Sequence, residues 1–120
     1  QVGIQNEPET DYGMFAVFVG LDRKNIEKAK NIIFKQFRKL ESISKKDLDE
    51  AKTFIEGDYA LNIEDNAHAA DNLAFLESIK DASLANDYIR SIKKVTADDV
   101  KQVAKKYLND KYTLVVIEQK

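Results

Sequence analysis

The chain contains no cysteine. A disulfide framework, a zinc ribbon, an iron–sulfur centre and a thiol nucleophile are therefore excluded. Histidine is nearly as scarce: His68 is the only one, so no motif that needs two histidines exists in these residues. Long apolar runs are missing as well. The longest, Met14 to Val19, is six residues, whereas a membrane-spanning helix needs about 18 or more. Positive charge is not in excess: 19 Lys and Arg stand against 21 Asp and Glu, a formal net charge of −2, which counts against a dedicated nucleic-acid surface. One proline and four glycines are too few for collagen, a disordered tail or a low-complexity linker. The lack of cysteine does not fix the compartment, and cytoplasmic, periplasmic and secreted locations all stay open.

What remains is 120 residues, 43% hydrophobic and 33% charged, the profile of a helix-rich globular unit. Residues 1–120 read as a single segment with no internal repeat and no Pro-, Gly- or Ser-rich divider. The chain opens on Gln1-Val2 and its one methionine is Met14, so it reads as an excised or processed piece of something longer. Val2 to Gln5 reads as the end of a strand, and Asn6 to Asp11 as a polar turn punctuated by Pro8. Met14 to Val19, closed by Gly20, is β-branched and aromatic and is predicted to be a strand buried on both faces. Asp22 is the expected N-cap of a helix from Lys24 to Leu40, with an apolar stripe of Ile26, Ala29, Ile33, Phe37 and Leu40.

Ser44-x-x-Asp47 resembles a capping box, opening a helix with Leu48, Ala51, Phe54 and Ile55 on its apolar side. A third helix is predicted from Ile63 to Ile79, with Ile63, Ala67, Ala70 and Ala74 facing a neighbour and Leu73 and Ile79 beside them. A fourth runs from Leu84 to Lys93, with Tyr88, Ile89 and Ile92 inward. Thr96-x-x-Asp99 opens a fifth, with Val100, Val103, Ala104, Tyr107 and Leu108 as its stripe and Asn109-Asp110 as its end. Tyr112 to Ile117 is predicted to be a last strand. The fold class is α+β: an antiparallel sheet of about three strands with several helices packed on one side. Three strands are few for so many helical stripes, which predicts that the sheet continues outside these residues.

Side-chain chemistry is sparse. On a helix, Glu64, His68 and Asp71 would share a face and could hold a divalent metal weakly, but zinc sites normally use more histidine or cysteine, and a solvated polar helix face opposite the alanine stripe is the favoured reading. Lys45-Lys46, Lys93-Lys94 and Lys105-Lys106 each lie near an acid and read as charged outer helix surface. Ser42, Ser44, Ser78, Ser83 and Ser91 sit in no nucleophile elbow. No glycine-rich phosphate loop is present. Asp98-Asp99 read as first-turn helix acids, and Tyr59, Tyr88, Tyr107 and Tyr112 as packing residues. No residue is assigned a catalytic, cofactor-binding or metal-ligating role.

Three stretches together carry a resemblance. They are Tyr12-Gly13-Met14-Phe15 through Gly20 with the helix ending at Leu40; Ile43-Ser44-x-x-Asp47-Leu48-x-x-Ala51-Lys52; and Tyr88-Ile89-x-x-Ile92-x-x-Val95-Thr96-x-Asp98-Asp99-Val100-x-x-Val103-Ala104-x-x-Tyr107-Leu108 followed by an apolar strand. In this order they resemble the C-terminal part of a domain of the insulinase/pitrilysin family of zinc metallopeptidases. The resemblance implies an antiparallel sheet covered by helices, two such halves closing around a peptide chamber, and a zinc ion held in the catalytic half by H-x-x-E-H and a distal glutamate. This chain, with one histidine, cannot contain that motif. Arg23, Arg38 and Arg90 do not stand where the family's arginine–tyrosine substrate-holding pair would be. The resemblance therefore implies a non-catalytic, chamber-forming segment with no cofactor of its own, inactive alone, whose partners are the rest of a peptidase polypeptide or a catalytic subunit, and a peptide. Two alternatives stay open: an interaction scaffold that kept the fold without the activity, and the matching segment of an active zinc domain.

Overall fold

A computed structural model describes residues 1–8 and 11–117. It shows a small mixed α/β unit. Two antiparallel strands, β1 (Val2–Pro8) and β2 (Gly13–Val19), are followed by five helices: α1 (Ile26–Lys39), α2 (Lys45–Asn62), α3 (Asn66–Ile79), α4 (Leu84–Lys94) and α5 (Ala97–Tyr107). Short 3₁₀ turns, Arg23–Asn25 and Leu40–Ser42, flank α1. Among the described residues the sheet has two strands, not three. The expected third strand, Tyr112 to Ile117, forms no ladder. Its β-branched residues supply the propensity, but strand structure also needs a hydrogen-bonding neighbour, and no described strand lies in register beside it. Asn6, Glu7 and Pro8, expected in a polar turn, belong to β1 instead, and Glu9 and Thr10 lie outside the described residues.

The register pairs Val2 with Val19 and runs to Pro8 opposite Gly13. Gly20 N–H donates to the Gln1 carbonyl at 2.9 Å, which makes Gln1 and Gly20 a hydrogen-bonded pair. Antiparallel ladders alternate. Gly3–Phe18, Gln5–Ala16 and Glu7–Met14 are therefore the further bonded pairs, and Gly13, Phe15, Val17 and Val19 turn their N–H and C=O groups away from β1. Pro8 falls opposite Gly13 in a non-bonded pair, so its missing N–H costs the ladder nothing.

Local caps fix the helix starts. Ser44 Oγ accepts from Asp47 N–H at 3.1 Å at the head of α2. Thr96 and Asp99 form a full capping box at the head of α5: Asp99 N–H donates to Thr96 Oγ1 at 3.2 Å and Thr96 N–H donates to Asp99 Oδ2 at 2.8 Å. Asp22, by contrast, makes no side-chain cap; its backbone carbonyl accepts from Asn25 N–H at 2.8 Å and starts a 3₁₀ turn instead. The third helix begins at Asn66 rather than Ile63, which is the C-cap of α2. Asp65 sets that boundary, because its carboxylate accepts from the N–H groups of Ala67 at 2.8 Å and His68 at 3.1 Å. Gly57 lies within α2 and does not end it.

All five predicted inward residues of α1, Ile26, Ala29, Ile33, Phe37 and Leu40, are half-buried. On α2 the inward set is Leu48, Lys52, Ile55 and Tyr59, while Phe54 is 72% exposed and Ala51 is exposed too. On α3 it is Ala69, Asn72, Phe75 and Leu76, and the expected stripe of Ala67, Ala70 and Ala74 faces outward. On α4 Ile89 and Ile92 are half-buried as expected, with Ala85; Tyr88 is more open. On α5 Val100, Ala104 and Leu108 are inside, whereas Val103 and Tyr107 are exposed. Both α2 and α3 carry apolar residues on two faces, and only one of each is covered. β2 is likewise not buried on both sides: Phe15 and Phe18 are about half exposed.

Polar clasps join the helices. Lys93 Nζ meets Glu56 Oε1 at 2.6 Å and Lys52 Nζ donates to the Lys93 carbonyl at 3.0 Å, tying α2 to α4. The rings of Tyr59 and Tyr88 lie 4.8 Å apart in the same seam. Glu41 and Lys105, 3.7 Å apart, link the turn after α1 to α5.

Burial is thin. Only Leu48 and Ala104 are buried among the described residues. The chain exposes 10060 Å², whereas a compact monomer of 13.7 kDa exposes about 6,600 Å². Its radius of gyration, 16.9 Å, exceeds the roughly 13.6 Å of a compact domain of this length.

The capping box makes a pH prediction. The Thr96 hydroxyl and backbone N–H hold the Asp99 carboxyl below its ordinary value. A carboxylate lowered on folding stabilises fully above the unfolded value of about 3.9. That stabilisation is lost as pH falls through the lower native value. Amide exchange in the first turn of α5 should therefore accelerate as pH drops below about 4, once corrected for intrinsic rates, and Asp99→Asn should flatten that dependence. Thr96→Ala should lower stability by about 1 kcal/mol in urea unfolding.

Candidate functional site

A broad, mainly apolar groove of about 1500 Å³ is lined by β2, by α1 and by residues 107–117. Its base is an aromatic chain. Phe15 of β2 meets Phe37 of α1 edge-on at 5.9 Å, Phe37 meets Phe34 at 5.9 Å, and Phe34 meets Tyr112 at 4.9 Å. The i, i+3 spacing of Phe34 and Phe37 puts both rings on one side of α1. Through them β2 and the 112–117 segment rest on the same helix, with no backbone hydrogen bond between them among the described residues. The groove is larger than the roughly 300–1,000 Å³ typical of small-molecule sites. Its lining offers backbone and hydrocarbon rather than reactive groups.

The charged side chains lining it, among the described residues, are Arg23, Lys30 and Lys111. Glu27 pairs with Lys30 at 2.6 Å, and its hydrogen bond raises the Lys30 ammonium above the ordinary lysine value. Sequence reasoning missed Phe34 and Lys30. The aromatic pair three residues apart was the available signal for Phe34, whereas Lys30 shows its place only once Tyr112 is seen beside it.

The residues singled out in the sequence do not converge. Glu64 lies in the turn before α3, so it does not share a helix face with His68 and Asp71. Asp65 spends its carboxylate on capping, and the two N–H donors hold it below the usual carboxylate range, His68 N–H contributing most. Among the described residues no group of three or more His, Asp or Glu is arranged to hold a metal ion. These residues do not fit a zinc site of the peptidase kind.

The lysine pairs have surface partners. Lys46 lies 3.7 Å from Glu50 across exposed helix, and Lys106 sits 4.8 Å from the Tyr107 ring centre. Ser44 caps α2, while the Ser42 and Ser78 hydroxyls donate to the carbonyls of Lys39 and Phe75. Asp98 and Asp99 lie in the first turn of α5, as expected. No described helix is long and apolar enough to cross a membrane.

Compared with protein-family models, curated proteins and solved structures, the chain matches none.

Two outcomes follow from this geometry. Zinc added to the full chain should produce no saturable stoichiometric shift of the His68 ring signals in NMR. Phe34→Ala should release the 112–117 segment, seen as faster amide exchange there. The lost aromatic contact should lower stability by about 1 kcal/mol or more.

Proposed function

We propose that this chain is a non-catalytic part of a zinc-peptidase-like protein, of the insulinase/pitrilysin kind. In this reading the antiparallel sheet extends beyond β1 and β2, with the helices on one side of it. The chain completes that sheet and forms part of the wall of a peptide chamber, while a separate catalytic half carries the zinc and hydrolyses the peptide. The zinc belongs to that half, and no residue of this chain is assigned to it. The partner is the remainder of the same polypeptide or a catalytic subunit, and the substrate is a peptide.

The observation that supports this best is the open apolar groove between β2, α1 and the 112–117 segment. A chain that left such a surface bare would be prone to associate. A chain built to be covered by more of a larger domain would not need to close it. The order of the helices and the capped starts at Ser44 and Thr96 agree with the motif order on which the resemblance rests.

The coding frame around this segment gives the test. An H-x-x-E-H motif in the same frame, or in a chain that co-purifies stoichiometrically with this one, is the expected result. A start codon at or just before Gln1, with no such partner, would remove the peptidase reading and leave the interaction scaffold. The isolated chain should show no chelator-sensitive peptide hydrolysis. Such cleavage by this chain alone would overturn the proposal.

A further inference from the structure

We draw no further inference here: the strongest candidate, the apolar groove between β2, α1 and residues 107–117, carries nothing further, because Phe15 and Tyr112 already meet its floor rings Phe37 and Phe34 and nothing in the structure shows what covers the rest.

Discussion

Four aromatic rings on or against one helix hold the β part of this molecule in place. Phe34 and Phe37 project from the same side of α1, one meeting Tyr112 and the other Phe15. Without that helix β1 and β2 would be an isolated hairpin, which is marginal in water. The rest of the architecture follows from how little else is covered. The helices pair through local seams, α2 with α4 and α5 with the turn after α1, and two buried residues, Leu48 and Ala104, stand where a larger core would be. Polar clasps such as Lys93–Glu56 are solvent-exposed, and exposed ion pairs contribute little.

The hydrophobic term has therefore not been fully used. Large apolar side chains remain in water on β2, on the second faces of α2 and α3, and along 112–117. In a self-sufficient domain these residues would contribute burial at about 25 cal/mol per Å². Among the described residues that contribution is left unrealised. The outward backbone of β2 and the uncovered faces of the helices thus share one property: among the described residues nothing packs over them.

The parts legible in the sequence are those governed by neighbours within a few residues. Thr96 and Asp99 cap α5 because each reaches the other's backbone three residues away, and that spacing is visible in the letters. The stripe of α1 was readable because one face of that helix meets the rest of the chain. Where two faces are apolar, as on α2 and α3, periodicity cannot say which is covered: Phe54 and Ala74 look as inward as Ile55 and Phe75. The apolar character of β2 was plain, but its burial depends on atoms outside it. Tyr112 to Ile117 reads as a strand for the same reason, since propensity reports how well a residue fits a sheet and not whether a partner is present. At the candidate metal site, Asp65 was passed over as a cap, although a carboxylate just ahead of two helix N–H groups is a common use of aspartate. The free edge of β2 depends on hydrogen-bond parity, which no composition or spacing encodes.

The placement of Pro8 bears on assembly size. A two-stranded ribbon with both margins open can polymerise from either side, as edge-to-edge fibres do. On the β1 margin, the outward position opposite Gly13 is a proline and offers no donor. On the β2 margin, the 111–117 segment shares the space into which further chains would stack. Edge-to-edge growth thus meets a missing donor on one margin and an occupying segment on the other, despite so much exposed hydrocarbon.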